Sequence, residues 1–181
     1  IACETYANYF KKYRKTKVVS TDEYNTLYDK SKLPELPVVC GDIAKISKFP
    51  KADIVTGGFP CQGFSMIGTR LETDPRNQLY KQFSRVVSIV NPKFFIAENV
   101  KGLLQLYQGR VFEAIKKEFR ETGKHGYIVQ SQLLNAKNYG AAQDRERVII
   151  VGVRRDLEFE YKYPEPTHGK PDFFGQMYNG Q

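Results

Sequence analysis

Asp53-Ile54-Val55-Thr56-Gly57-Gly58-Phe59-Pro60-Cys61-Gln62-Gly63-Phe64-Ser65 passes from an apolar run to a glycine-rich loop within a few residues. Ile54, Val55 and Thr56 are β-branched and favour a strand. The glycine pair and the Phe-Pro that follows end it in turn-forming chemistry. Cys61 sits in that loop, whereas a structural cysteine belongs inside a strand or helix as a small hydrophobe. Both a nucleophile held out on a loop and a cysteine in a turn fit this placement. Two further runs follow the same plan: Pro37-Val38-Val39-Cys40 ends at Gly41-Asp42, and Phe94-Phe95-Ile96-Ala97 ends at Glu98-Asn99.

Between and beyond these runs the spacing changes. A helix is expected from Ile1 to about Tyr13. Another is expected over 77–90, where Leu79, Phe83, Val86, Val87 and Val90 recur at helical intervals until Asn91-Pro92. A third carries Val111, Phe112, Ile115 and Phe119 and stops near Gly123. Strands are expected over Tyr127–Leu134 and Arg147–Val153, with a polar loop from Asn135 to Asp144 between them. Short apolar strands alternating with amphipathic helices predict an α/β domain with a largely parallel sheet. Such sheets bind ligands beyond the carboxyl ends of their strands. Asp42, the Gly58–Ser65 loop with Cys61, and Glu98-Asn99 are then expected along one edge.

Composition narrows the classes less. The 181 residues suffice for one sizeable core and carry a formal charge of +8, which favours a polyanionic partner without identifying one. The densest basic run, Lys11-Lys12-Tyr13-Arg14-Lys15-Thr16-Lys17, reads either as a solvated helix end or as a phosphate-contacting patch. No apolar run approaches the length of a membrane span, and the first residues do not read as a signal peptide. Cys3, Cys40 and Cys61 form no C-x-x-C pair, and His125 and His168 lie far apart in sequence, so no metal site is expected. A reducing, intracellular setting is the simplest reading of these cysteines.

The candidate chemistry lies at the strand ends. Glycines around Cys61 would let backbone N–H groups approach and favour its thiolate. Glu98 closes an apolar run, where a carboxyl group suits hydrogen bonding to a substrate nitrogen; a salt-bridged or capping Glu is the plainer alternative. Asp42 could accept from a ligand amine or simply make an Asx-turn. In Gln143-Asp144-Arg145-Glu146-Arg147, alternation would put Arg145 and Arg147 on one side, able to grip phosphates or polarise a carbonyl oxygen, or simply forming a solvated basic strand entry.

Taken in order, "GDI" at Gly41–Ile43, "GGFPCQGFS" at Gly57–Ser65, "RNQLY" at Arg76–Tyr80, "ENV" at Glu98–Val100 and "QDRERV" at Gln143–Val148 closely resemble the motifs of the C5-cytosine methyltransferases. The resemblance runs from the first residue to about Gly169. It implies a Rossmann-like S-adenosylmethionine-dependent methyltransferase fold, with a largely parallel sheet and helices on both faces. It also implies a flipped-out cytosine in double-stranded DNA as substrate and S-adenosyl-L-methionine as methyl donor. By match, Cys61 would attack cytosine C6, Glu98 would hold N3 and the exocyclic amine, and Arg147 with Arg145 would lie at the O2 side. Asp42, Ile43, Pro60 and Leu79 would line the cofactor pocket, and Gln62, Ser65 and Arg76 would face DNA on a closing loop.

The family's glycine-rich turn after its first strand and the acidic residue after its second are absent, so the fold is expected to be incomplete at the N-terminus. Residues 1–163 are expected to form the catalytic domain, and 164–181 a linker or the start of a target-recognition region. The expected setting is a monomeric enzyme of a restriction-modification system, cytoplasmic and nucleoid-associated in a bacterium or archaeon and nuclear in a eukaryote. A tRNA-methylating branch of the family shares the same chemistry, and a catalytically incompetent nucleic-acid-binding remnant is the reading from a different class.

Overall fold

The computed structural model describes residues 2–11, 16–34, 36–60 and 79–168. The chain falls into two compact units, Ile1–Pro50 and Lys51–Gln181.

In the first unit, α1 (Ala2–Lys11) precedes β1 (Thr16–Ser20), α2 (Thr21–Asp29) and β2 (Leu36–Cys40), and β1 and β2 pair in parallel with Val19 opposite Val39. Strand β1 and helix α2 are additions to the sequence reading, which took the Lys11–Lys17 run only as charge. Their signal was present: Val18-Val19 is followed by Ser20-x-x-Glu23, a capping box. The Ser20 hydroxyl accepts from the Glu23 backbone N–H at 3.1 Å. Val19, Tyr24 and Ile46 form a small buried core, and the Tyr24 and Tyr28 hydroxyls donate to the carbonyls of Lys48 and Phe49.

The second unit holds β3 (Ile54–Gly58), α3 (Leu79–Val90), β4 (Phe94–Val100), α4 (Arg110–Glu121), β5 (Tyr127–Asn135) and β6 (Glu146–Arg154). Its four-stranded sheet has the order β3-β4-β6-β5. β3 and β4 are parallel, while β6 runs antiparallel to both of its neighbours. Three strands therefore point one way, and only β6 is reversed, inserted between β4 and β5.

Phe83 and Val87 of α3 and Phe112, Ile115 and Phe119 of α4 pack on the sheet residues Phe95, Ala97, Leu133, Val148 and Ile150. Phe95 is fully buried at the centre, with ring centroids 5.7 Å from Phe83, 5.3 Å from Phe119 and 5.0 Å from Tyr127. Burying rings of this size is the dominant stabilising term for the unit. Beyond β6 the chain turns back: Phe159 meets Phe94 edge-on, the Tyr163 hydroxyl donates to the Ile149 carbonyl, and the Thr167 and His168 amides donate to the Asn138 carbonyl. Pro164, Thr167 and His168 thus contact the turn between β5 and β6.

Two boundaries differ from expectation in a way that matters for the site. Strand β4 continues to Val100, so Glu98 and Asn99 lie within it and not beyond it. Pairing with β3 reaches Glu98, and pairing with β6 carries the extended conformation on through Asn99 and Val100. Asn135 likewise ends β5 instead of opening a loop, and the supposed loop begins with a 3₁₀ turn over Ala136–Tyr139.

Candidate active site

The ends of β3, β4 and β5 and the start of β6 lie at one edge of the sheet. Gly58 of β3 is paired with Glu98 of β4, and Val100 of β4 with Arg147 of β6. Alternation puts Glu98, Val100 and Arg147 on the same face, and the Arg147 Nε donates to Glu98 Oε1 at 2.8 Å. Both groups are only partly buried, with side chains 24% and 42% exposed for Arg147 and Glu98. Arg147 Nη1 also donates to the Glu146 carbonyl at 2.7 Å, which braces the guanidinium. A Cβ at Gly58 would sit 3.3 Å from Glu98 Oε2. Glycine therefore leaves that second oxygen uncrowded and open to a ligand.

The charged motif of β6 is distributed in four directions. Asp144 accepts from Asn135 and Lys137, and those hydrogen bonds hold its carboxyl below the usual carboxylate range. The Arg145 backbone N–H donates to Asn135, and its side chain is exposed. Glu146 receives Lys101 Nζ on both oxygens at 2.9 and 2.8 Å. Arg147 takes Glu98. Arg145 precedes the strand by one residue, and of the two arginines it is Arg147 that pairs with Glu98.

Phe59 and Pro60 lead from β3 toward Cys61. Phe59 is buried in the aromatic core, and its carbonyl accepts from Asn99 Nδ2 at 2.8 Å. Asn99 Oδ1 in turn accepts from the Val100 amide, so this 3% exposed residue is bonded at both ends. Cys61, Gln62, Ser65 and Arg76 lie outside the described residues. Pro60 is exposed, and Leu79, half-buried, begins α3. Of the remaining cysteines, the Cys3 thiol is pushed up, chiefly by its hydrogen bond with Cys40, and so is disfavoured as a thiolate.

Asp42 and Ile43 belong to the first unit, after β2. Asp42 Oδ1 accepts from the Ala44 amide at 2.9 Å and caps a 3₁₀ turn over Ile43–Lys45. The Asx-turn reading of Asp42 is thereby realised, yet a carboxylate keeps acceptor capacity on its other oxygen. Ile43 beside it is 39% exposed. Within that unit β1 and β2 form a two-stranded sheet, and Asp42 follows the end of β2.

The family model for C-5 cytosine-specific DNA methylase matches residues 10–176. The chain belongs to that family. Among curated methylases it is 54% identical over 131 residues to Type II methyltransferase M.BspRI of Lysinibacillus sphaericus, covering 72% of this chain and 30% of the relative. It is 51% identical over 129 residues to Type II methyltransferase M.BsuRI of Bacillus subtilis, covering 71% and 29%. The chain thus spans about a third of the length of these methylases. Among solved structures, an E. coli prophage protein assigned as a DNA modification methyltransferase superposes with TM-score 0.56 at 27% identity, over 87% of this chain and 49% of that one. The S. pombe Dnmt2 methyltransferase shares the fold with TM-score 0.51 at 20% identity, over 89% and 49%.

The sequence reading of this methylase chain put Asn99 in the Glu98–Val100 motif without giving it a role, and it passed over Asn135. Each is a buried amide at the sheet edge. The available signal was a polar residue next to a strand end in an otherwise apolar pattern, since a buried amide must find partners. Which backbone groups it would bond could not be read from spacing.

Proposed function

We propose that the protein containing this chain is a DNA cytosine-5 methyltransferase of a restriction-modification system, acting on a flipped-out cytosine of double-stranded DNA. The observation that carries this reading is the Glu98–Arg147 pair at the sheet edge, beside the Phe59-Pro60 segment that leads to Cys61. Aromatic C5 is a poor nucleophile until a thiolate adds to C6. In this reading Cys61 makes that bond, and the ring electrons shift toward N3 and O2. Glu98, with Oε2 uncrowded above Gly58, holds the N3 and amine edge, while Arg147 with Arg145 stabilises negative charge at the O2 side. C5 is then the nucleophilic carbon at which methylation occurs. Loss of the C5 proton returns an electron pair to the ring, breaks the C6–S bond and restores aromaticity. The target must leave the base stack, because C6 is unreachable inside a duplex.

S-adenosylmethionine supplies the methyl group when bound. The residues present fit part of it: the free oxygen of Asp42 suits an adenine amine, and the exposed Ile43 suits the adenine ring. Pro60 and Leu79 complete the set implied by the family motifs. Gln62, Ser65 and Arg76 are assigned to DNA on the same grounds, and in a bacterial or archaeal host this reading goes with a cytoplasmic, nucleoid-associated enzyme.

The test is methyl incorporation by the full-length protein into duplex DNA, with tRNA as a parallel substrate. Cys61→Ser is expected to lower the rate by roughly 10³-fold or more. Formation of 5-methylcytosine at the wild-type rate by Cys61→Ser would overturn the mechanism, and incorporation into tRNA alone would overturn the substrate.

A further inference from the structure

The turn joining β5 to β6 ends at Arg145, one residue before β6, and is mostly exposed. Several of the hydrogen bonds that order it come from the Asn135 side chain. Asn135, 5% exposed at the end of β5, accepts on Oδ1 from the Lys137 amide at 3.2 Å and from the Arg145 amide at 3.1 Å. Its Nδ2 donates to Asp144 Oδ1 at 2.6 Å. The Ala136 amide then donates to the Arg145 carbonyl at 3.0 Å. The backbone of Arg145 is thereby held at both its N–H and its C=O by consecutive residues, Asn135 and Ala136. Asp144 and Lys137 add an ion pair at 3.3 Å on the outside of the same turn.

We propose that Asn135 is a positioning residue, which fixes Arg145 beside the Arg147–Glu98 pair by clamping the two ends of the intervening turn. This inference rests on the role given to Arg145 above. A turn-capping amide with no link to catalysis has the same hydrogen bonds, so stability alone does not separate the two. Coupling to Arg145 does. If Asn135 acts through Arg145, its removal changes nothing once Arg145 is gone; if it acts on the domain at large, the two losses multiply.

The experiment is a double-mutant cycle in the full-length methylase, reading kcat and the KM for duplex DNA separately. Asn135→Ala is expected to lower kcat by on the order of 10²-fold, the effect of an ångström-scale misplacement near the reacting centre. In an Arg145→Ala background the same change should alter kcat by no more than about twofold. Tyr139→Phe, which removes the hydrogen bond from the same turn to the Pro164 carbonyl, is the control and should lower the melting temperature while leaving kcat intact. Should Asn135→Ala fail to fold, Asn135→Ser enters the same cycle. Wild-type kcat in the Asn135 variant, or losses that multiply with Arg145→Ala, would overturn this inference alone. Wild-type kcat in Arg145→Ala would overturn the assignment of Arg145 and this inference with it.

Discussion

At Asn99, one buried carboxamide bonds two backbone groups. Nδ2 satisfies the Phe59 carbonyl, one residue before Pro60 and two before Cys61, and Oδ1 satisfies the Val100 amide. An aspartate is nearly the same size but has no N–H to donate when ionised. Asn99→Asp therefore leaves the Phe59 carbonyl facing a carboxylate in a buried position. The expected loss is about 1–3 kcal/mol or more, measured by urea unfolding of the full-length protein. Methyl transfer should fall further than stability explains, because the segment held by that bond leads directly to the proposed nucleophile. Glu98 contrasts with Asn99: its pairing with Arg147 is partly solvated, so it contributes little to stability and is instead available to a ligand.

Among the elements, β6 is where packing is least forgiving. Gly152 stands opposite Phe95 in the β4–β6 ladder, and a Cβ there would lie 2.0 Å from the Phe95 ring. The ring occupies the space that any side chain at 152 would need, and Phe95 is walled in by Phe83, Phe119 and Tyr127. Gly152→Ala must push that aromatic cluster or the strand apart, with an expected destabilisation of about 1–3 kcal/mol or more in denaturant unfolding. Gly57 repeats the arrangement on β3, where a Cβ would meet the Phe83 ring at 2.7 Å. These glycines are part of the core packing. Their shared effect is to let two flanking strands close on aromatic rings without a gap.

For the molecule as a whole, the hydroxyls of the buried Tyr127 and the half-buried Tyr163 tie separate segments of the second unit together. Tyr127 donates to the Pro92 carbonyl at 2.8 Å, and Tyr163 to the Ile149 carbonyl at 2.9 Å. Burial pushes the Tyr127 hydroxyl up to about 12 and raises that of Tyr163 as well. The folded state keeps its proton where the unfolded chain, near 10, has released it. Their contribution is thus fully present below about pH 10 and is lost as pH rises through the folded value. For Tyr127 the loss is of the order of 2–3 kcal/mol between about pH 10 and 12. Unfolding free energies of the full-length protein across that range should show it. Tyr127→Phe should be less stable at pH 8 but should lose part of the alkaline slope, and an unchanged slope would contradict this account.

The alternation of short apolar runs with amphipathic stretches was enough to read the α/β class, because β-branched runs and 3.6-residue spacing are local properties. The motifs likewise singled out Glu98 and Arg147 as candidates, since a carboxylate and a guanidinium at strand ends stand out against apolar neighbours. Strand β1 and helix α2 were legible only through a four-residue cap, which is a weak signal beside a dense basic run. Tertiary structure alone decided the rest. Insertion of β6 between β4 and β5 brought Arg147 to Glu98 across 49 residues of chain, and the antiparallel register set their distance. It also decided which buried amide bonds which carbonyl at Asn99 and Asn135. Those partners are remote in sequence or lie across a turn, and only folding brings them within the 3 Å that a hydrogen bond requires.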